Sequence, residues 1–212
     1  MYTILILFLP IVYSYNVNLS LMRHGLTKNN VQNIWTGELD LDLNSQDEIV
    51  KNRKFDLILS STQNRCRQTV NNLILDVVPD IMYNDGFNEC GYGDLTGMPK
   101  DYEVFSRDLN NKPPKSNFFK SESIFDGGVR AFSAYNELLE NYTSMVKKEE
   151  YNILVVSHKN TMKGLWFFLH LDEYINNMDD FEVEKTDEYI KKILKDNPYP
   201  DFENLKIYDF EK

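Results

Sequence analysis

The chain has 212 residues, with 23 Lys and Arg against 33 Asp and Glu, which gives a formal net charge of −10. This length fits one domain with a sizeable core, and the 42% hydrophobic content is that of a globular chain and not of a disordered one. An acidic surface disfavours nucleic acids and anionic membranes as partners, so an anionic substrate would need a locally basic pocket. Two cysteines are too few for a disulfide scaffold or a zinc site.

The amino-terminal 14 residues differ from the rest of the chain. Residues 3–12 (TILILFLPIV) form an apolar block with the length of a signal-peptide core, and Val12 and Ser14 stand where signal peptidase prefers small residues. No Lys or Arg precedes the block, which favours an extra buried strand or a simple extension instead. No apolar run has the length of a membrane span. Residues 1–14 are therefore a signal peptide or an N-terminal extension, and residues 15–212 are expected to form a single domain.

Strand and helix patterns alternate along this domain. The predicted strands cover residues 17–23, 55–59, 81–83, 153–156 and 205–210, and the predicted helices cover residues 62–77, 123–148, 161–169 and a segment around 189–194. The run Ile153 to Val156 is uniformly apolar, as expected for a strand that is buried on both faces of a parallel sheet. The sequence thus predicts an α/β fold with a doubly wound, mostly parallel sheet and helices on both faces.

Candidate catalytic residues stand at the ends of the predicted strands. His24 and His158 each follow one strand directly, Arg23 adjoins His24, and Arg65 comes shortly after another strand. In a parallel α/β sheet, ligands bind at the carboxyl ends of the strands. Guanidinium groups bind phosphate oxygens in a bidentate manner, and an imidazole can attack phosphorus as a covalent nucleophile. These residue types at these positions therefore indicate phosphoryl transfer.

The same residues lie in motifs that resemble those of the histidine phosphatase superfamily, and within it most closely the cofactor-dependent phosphoglycerate mutases. The matching segments run in order along the chain and are specific jointly, although each alone is weak. They are Leu21-Met-Arg-His-Gly-Leu-Thr27 with Asn30, Thr36-Gly37 with Asp40 and Leu43, Ser60-Ser-Thr-Gln-Asn-Arg-Cys-Arg-Gln-Thr69, Glu89-Cys-Gly-Tyr-Gly-Asp-Leu-Thr-Gly-Met-Pro-Lys100, Ser121-Glu-Ser123 with Arg130, and Ser157-His-Lys-Asn-Thr-Met-Lys-Gly164.

The resemblance implies a role for each matching position. His24 would be the nucleophile that becomes phosphohistidine, and Glu89 would be the general acid and base. The groups expected to bind the phosphoryl group are Arg23, Arg65 and His158, helped by Asn30 and by the N–H groups after His158. The other residues expected to bind substrate are Thr27, Thr36, Gly37, Tyr92, Lys100, Arg107, Lys159 and Asn160. Arginines and His158 would neutralise the phosphoryl charge, so no metal is required.

For the whole protein, the resemblance implies interconversion of 3-phosphoglycerate and 2-phosphoglycerate, with 2,3-bisphosphoglycerate as the primer. The partner would be a small phosphorylated substrate, and a homodimer is compatible with the sequence. A phosphomonoesterase that uses the same site is the alternative, and a silent phospho-ligand-binding protein is a third hypothesis. A glycolytic mutase would be cytoplasmic, whereas a cleaved signal peptide would place the chain in the secretory pathway.

The chain also departs from the mutase pattern. Only Arg107 remains of the paired arginines that hold the substrate carboxylate in the family, and Lys159 stands in place of a glycine. The first helix, between Gln46 and Phe55, is shortened, and the tail diverges from about residue 172. These departures favour phosphoryl transfer more strongly than mutase specificity.

Overall fold

The computed structural model describes residues 15–100, 121–176 and 192–210. Its elements are, in chain order, β1 (Asn16–Arg23), α1 (Lys28–Val31), β2 (Ile49–Val50), β3 (Leu57–Ser60), α2 (Asn64–Asn71), β4 (Leu73–Ile74), β5 (Asp80–Tyr83), α3 (Ile124–Met145), β6 (Glu150–Ser157), α4 (Lys159–Asn176) and β7 (Ile207–Phe210). Short 3₁₀ turns cover Asp85–Phe87 and Gly93–Leu95, and residues 192–196 are helical.

The central sheet is five-stranded, in the order β5-β3-β6-β1-β7. Strands β5, β3, β6 and β1 run parallel, and β7 joins β1 in the antiparallel sense. The register pairs Arg23 with Ser157 and Ser60 with Val156, so β1, β3 and β6 end side by side. The prediction of a mostly parallel α/β sheet is confirmed.

The central strands are buried on both faces. Successive side chains of a strand point to opposite faces of the sheet, so each strand contributes to two apolar clusters. Leu21, Leu59 and Val155 belong to the cluster that packs against α3 and α4. Their neighbours Met22 and Val156 belong to the second cluster, which includes Cys66 and Val70 of α2. Helices therefore cover both faces, as predicted for a doubly wound sheet.

The prediction of one helix over residues 62–77 is wrong in its second half. Helix α2 ends at Asn71, and Leu73–Ile74 form β4, which pairs in parallel with β2. The apolar positions fit a helical period, but Asn71 and Asn72 are poor helix formers and the backbone of Ile49–Val50 offers a strand partner. Val77 and Val78 consequently lie on the surface instead of on a buried helix face.

The remaining elements follow the predictions closely. The long helix predicted over 123–148 is α3, capped by the side chain of Ser123, which accepts a hydrogen bond from the N–H of Asp126. The last strand begins at Ile207 and not at Leu205, because Leu205 has a φ of +60°. Residues 1–14, Arg107 and the first part of the helix predicted around 189–194 lie outside the described residues. Within the described ranges, no helix is long and apolar enough to cross a membrane.

Candidate active site

Three parallel strands deliver polar side chains to one edge of the sheet. His24 directly follows β1, Ser61 follows β3 and His158 follows β6. All three side chains are buried. The imidazole rings of His24 and His158 lie 5.0 Å apart between centroids and are tilted by 55°. The structure thus brings the two sequence-predicted histidines together at the carboxyl edge of the sheet, where α/β proteins bind ligands.

The imidazole of His24 is oriented by its own turn. Nδ1 lies 2.6 Å from the carbonyl oxygen of Gly25, which can only accept, so Nδ1 carries the proton of the neutral ring. The lone pair is then on Nε2. The N–H of Gly25 donates to Thr69 Oγ1 at 2.9 Å, which attaches the turn to α2. This geometry leaves an unprotonated lone pair on Nε2 of His24, which is what a nucleophile needs.

The imidazole of His158 has protein partners at both nitrogens. Arg65 Nε donates to Nδ1 at 3.1 Å, so Nδ1 is the acceptor and Nε2 carries the proton. Nε2 lies 2.9 Å from Ser61 Oγ and 3.4 Å from the sulfur of Cys66. Ser61 in turn donates to Asn88 Oδ1 at 2.6 Å. A chain of hydrogen bonds from Arg65 to Asn88 therefore sets both the tautomer and the orientation of His158.

The guanidinium group of Arg65 is completely enclosed and directed at protein acceptors. Besides the bond to His158, Nη1 donates to the carbonyl of Leu39 at 2.6 Å. Nη2 donates to the carbonyl of Gly37 at 2.9 Å and to Gln63 Oε1 at 2.8 Å. Arg65 thus joins the loop at 37–39 to the histidine pair, and its positive charge is held beside both imidazoles.

Electrostatics keep the two imidazoles neutral. Burial lowers the pKa of His24 well below 6.5, and the nearby charges of Arg65 and then Arg23 lower it further. The pKa of His158 is lowered in the same way, first by burial and then by Arg65. A buried cation is destabilised both by the loss of water and by like charges. At neutral pH both rings are therefore uncharged, and Nε2 of His24 is free of a proton.

Arg23 and the carboxy-terminal loop meet at the end of β1. Arg23 Nη1 contacts the carbonyl of Phe202 at 3.5 Å, while its Nε is buried without a hydrogen-bond partner in the described part of the chain. Asn204 Nδ2 donates to the backbone carbonyl of His24 at 2.6 Å, and the N–H of Leu205 donates to the carbonyl of Arg23. The loop before β7 therefore supports the turn that carries His24.

Glu89 lies beside the start of α4. Its Oε1 accepts from the N–H of Cys90 at 3.0 Å and from both the N–H and the hydroxyl of Thr161 at 3.3 Å. Arg130 holds the preceding segment, because its Nη1 donates to the carbonyl of Asn88 and its other donors form a bidentate pair with Glu122. The Glu89 carboxyl is thus fixed at the same edge of the sheet as the histidine pair.

The residues predicted after the first histidine form the wall of the site. Thr27 is the N-cap of α1, and its backbone N–H and hydroxyl donate to Asn30 Oδ1 at 3.0 Å. Thr36 is buried, and its hydroxyl oxygen has no partner among the described residues. Gly37 has a φ of +49°, and a Cβ there would lie 2.9 Å from the ring of Tyr92, so both backbone and space require glycine.

A second wall comes from the segment after Glu89. Tyr92 is buried, its ring lies 4.7 Å from that of Trp35, and its hydroxyl accepts from Asn160 Nδ2 at 2.9 Å. Lys100 Nζ lies 5.2 Å from the centre of the Trp35 ring. Burial, and then the charge of Arg23, lowers the pKa of Lys100. Lys100 and Tyr92 therefore stand close to the predicted phosphoryl site.

Lys159, the first residue of α4, is involved in an ion pair. Its Nζ lies 2.6 Å from Asp201 Oδ1.

The predicted site residues that the structure describes gather around one edge of the sheet. Sequence reasoning missed the contributions of Ser61, Cys66, Asn88, Thr161, Asp201 and Asn204. The position of Ser61 at the end of a strand was the available signal for one of them, whereas Asp201 and Asn204 lie in a segment that carries no motif.

No group of three or more His, Cys, Asp or Glu side chains within residues 15–100, 121–176 and 192–210 is placed to hold a metal ion. Both cysteines are buried and have free thiols.

This combination of a parallel α/β sheet with paired imidazoles and guanidiniums at its edge defines a phosphoryl-transfer class of site. The model of the histidine phosphatase superfamily, branch 1, matches residues 19–199. The chain therefore belongs to this superfamily of phosphoryl-transfer enzymes, and the resemblance found in the sequence motifs is confirmed.

Curated relatives are named as mutases. The chain is 31% identical over 171 residues to the 2,3-bisphosphoglycerate-dependent phosphoglycerate mutase of Rhizobium etli, which covers 69% of this chain and 76% of that protein. It is 26% identical over 170 residues to the enzyme of the same name from Bartonella bacilliformis, which covers 69% of this chain and 78% of that protein.

Solved structures confirm the fold. Bacillus stearothermophilus YhfR superposes with a TM-score of 0.58 at 22% identity, covering 74% of this chain and 80% of that one. A mycobacterial glucosyl-3-phosphoglycerate phosphatase superposes with a TM-score of 0.57 at 20% identity, covering 73% and 79%.

Proposed function

We propose that this protein transfers phosphoryl groups through a phosphohistidine at His24 and interconverts 3-phosphoglycerate and 2-phosphoglycerate. The observation that carries the proposal is the tautomer of His24. The bond from Nδ1 to the Gly25 carbonyl places the free lone pair on Nε2, and the pKa of the ring is lowered by burial. An unprotonated imidazole nitrogen inside a cationic enclosure is the nucleophile that this reaction needs.

The first half of the reaction moves a phosphoryl group from a bisphosphoglycerate onto the enzyme. Nε2 of His24 attacks phosphorus and forms a P–N bond, while the P–O bond to the substrate oxygen breaks. Glu89, in its protonated form, gives its proton to the departing oxygen. In the second half, a hydroxyl of the monophosphoglycerate gives its proton to Glu89 and attacks the phosphohistidine, and the P–N bond breaks as the phosphoryl group joins that oxygen. The isomer forms when His24 next takes the phosphoryl group from the other oxygen of the resulting bisphosphate.

Charge stabilisation comes from groups already in place before substrate binds. Arg23 keeps a buried Nε without a partner in the described part of the chain, and the N-terminus of α4 lies directly after His158. Preorganised donors stabilise the charge on the transferring oxygens most effectively, because they need no reorganisation during the step. Arg65, which holds His158 in place, adds its positive charge to the same enclosure.

The donor set also fits a bisphosphorylated primer. The buried hydroxyl of Thr36 and the buried Nε of Arg23 have no hydrogen-bond partners within the described ranges, and both fit the oxygens of an anionic phosphoryl group. Thr36, Arg23 and Lys100 would hold 2,3-bisphosphoglycerate. When bound, this primer supplies the phosphoryl group that charges His24.

The mutase assignment is supported by the wall formed by Tyr92, Asn160 and Lys100. These residues lie in the segments that resemble the mutases, and the structure places the Tyr92 hydroxyl against Asn160. A phosphomonoesterase is the second candidate, in which water accepts the phosphoryl group after Glu89 removes its proton. The observation that favours a phosphatase is the ion pair between Lys159 and Asp201. The mutase pattern has a glycine at the position of Lys159, so the edge of the substrate site differs there.

The experiment is incubation with 3-phosphoglycerate and a trace of 2,3-bisphosphoglycerate while 2-phosphoglycerate and free phosphate are followed together. We expect 2-phosphoglycerate that depends on the primer. Free phosphate without 2-phosphoglycerate would show that the protein is a phosphatase and not a mutase.

Labelling the protein with ³²P-2,3-bisphosphoglycerate and quenching in alkali, in which phosphohistidine survives, tests the intermediate directly. His24→Asn should lose the label, whereas the matched variant His170→Gln, outside the site, should keep it. Label retained in His24→Asn, or absent from the native enzyme, would overturn the proposal.

A further inference from the structure

We propose that Lys159 forms a subsite for a second anionic group of the substrate, and that Asp201 of the carboxy-terminal loop occupies this subsite until substrate displaces it. The inference rests on the proposed phosphoryl transfer at His24, since it concerns the rim of the same site. It assigns a role to a loop that carries none of the sequence motifs.

The location of Lys159 supports the first part. Lys159 follows His158 directly, so its side chain leaves the backbone one residue from the imidazole pair. Burial lowers the pKa of both Lys100 and Lys163, the charges of Arg23 and Lys159 lower it further, and the charge of Glu89 opposes this effect. Lys163 lies one helical turn beyond Lys159 in the same helix, so these two lysines lie on the same face of α4 and form a cationic rim. Such a cluster attracts an anion strongly, because like charges held close together are stabilised when an anion joins them.

The present occupant of that rim is a carboxylate. Asp201 Oδ1 lies 2.6 Å from Lys159 Nζ. This bond, together with the charges of Lys159, Lys163 and Arg23, lowers the pKa of Asp201 below its ordinary value. Asp201 therefore stays ionised and presents to the rim the functional group that a carboxylated or bisphosphorylated substrate would present.

The backbone beside Asp201 is firmly anchored. Phe202 is completely buried, has a φ of +41° and offers its carbonyl to Arg23. Asn204, two residues further, donates to the His24 carbonyl. A bulky residue in the left-handed region persists only where its surroundings hold it there. These contacts keep the backbone of Asp201 beside the rim.

The side chain itself is easily exchanged. The Asp201 side chain is 78% exposed, whereas that of Lys159 is 33% exposed. An ion pair with one partner so open to water contributes little to stability. A substrate anion that is held at its other end by the phosphoryl site can therefore displace Asp201 without unfolding the loop.

The chemistry of the preferred ligand follows. It is a small phosphomonoester that carries a carboxylate or a second phosphate, and it should be preferred over an equally small phosphomonoester with a neutral hydroxyl in that place. 3-Phosphoglycerate and glycerol 3-phosphate form such a matched pair of probes.

The test measures the dissociation constants of both probes by calorimetry, which needs no turnover. We expect Asp201→Asn to bind 3-phosphoglycerate about two- to fivefold more tightly, as expected from removing a weak surface ion pair. Lys159→Met should bind it about tenfold more weakly, because a charge-assisted contact is lost. Neither change should appear with glycerol 3-phosphate, and adding Asp201→Asn to Lys159→Met should give no tightening.

Glu203→Gln is the matched control, since Glu203 lies in the same loop but pairs with Lys206. It should leave both dissociation constants unchanged. Equal effects of Asp201→Asn on the two probes, or none on either, would overturn the subsite. Absence of the ³²P label from the native enzyme would instead overturn the proposed function, so the two failures are distinguishable.

Discussion

Gly128 of α3 and Gly164 of α4 meet backbone to backbone where the two helices cross. A Cβ on Gly164 would lie 2.5 Å from the Cα of Gly128 and 2.4 Å from the carbonyl oxygen of Ile124. Both distances are shorter than a carbon atom tolerates, and both partners are backbone atoms that cannot rotate away. The helix crossing therefore depends on the absence of a side chain.

Gly164→Ala is expected to destabilise the protein although alanine is the better helix former. Helix propensity alone would stabilise the variant by about 1 kcal/mol. Overpacking a close contact costs about 1–3 kcal/mol, and here the clash is with backbone, so the cost prevails. The free energy of unfolding in urea measures the net effect. Ser133→Ala, on the exposed face of α3, is the control and should be nearly neutral; an increase in stability for Gly164→Ala would contradict the crossing.

Acid should weaken the fold through the histidine pair. The pKa values of His24 and His158 are well below 6.5 in the folded chain because of burial and the nearby Arg65. Below pH 6.5 the unfolded chain therefore binds protons that the folded chain does not, so the free energy of unfolding falls as the pH falls. Each histidine contributes a slope of up to about 1.4 kcal/mol per pH unit.

Urea unfolding at pH 7.5, 6.5 and 5.5 measures this slope. His24→Asn removes one of the two groups, so its slope should be smaller than that of the native protein. Parallel slopes for the two proteins would show that His24 is not held neutral.

Replacing Arg130 by lysine should lower the free energy of unfolding although the positive charge is retained. Arg130 Nη1 donates to the carbonyls of Asp85, Gly86 and Asn88, while its other donors bind both oxygens of Glu122. A lysine ammonium cannot reproduce this planar set of donors. We expect Arg130→Lys to lose about 2 kcal/mol of stability, since acceptors are left without donors, and to lower kcat because Glu89 follows Asn88.

Arg53→Lys is the matched substitution at an exposed ion pair with Asp209. Its stability should change by less than about 0.5 kcal/mol. Chemical denaturation of both variants, with kcat measured beside it, makes the comparison, and equal effects would contradict the role of Arg130.

The two thiols should be inert in the folded protein. Burial raises the pKa of Cys66 to about 12, and the pKa of Cys90 is likewise raised well above its ordinary value by burial. Because the thiolate is the reactive form, a disulfide reagent should titrate neither cysteine in native protein and both in urea. Cys66→Ala should reduce the count in urea by one. Rapid reaction of a native thiol would contradict the enclosure.

The sheet and its two histidine-bearing strands were predictable because their signals are local. The apolar run Ile153–Val156 and the alternation before Arg23 each belong to one short segment. The strand Leu73–Ile74 was not predictable, since its apolar positions also fit a helix and its partner Ile49–Val50 is a separate segment. Pairing with this distant segment makes Leu73–Ile74 a strand and not the end of a helix.

The candidate site divides in the same way. Motifs located His24, His158 and Glu89 because residue type and spacing carry the chemistry. Two of the four hydrogen-bond partners of Arg65 are the backbone carbonyls of Gly37 and Leu39, and any sequence offers a carbonyl at every position. Such contacts depend on the path of a loop, so they become visible only in the structure.

The position of β1 between β6 and β7 has a consequence for synthesis on the ribosome. Asn204 and His24 are joined by a hydrogen bond across 180 positions of the chain. The strand that precedes His24 is synthesised before both of its sheet neighbours, which begin only at Glu150 and Ile207. Contacts of such large sequence separation form slowly. The nascent chain must therefore keep an apolar strand unpaired until β6 and β7 have been synthesised, and chaperones would engage it during that interval.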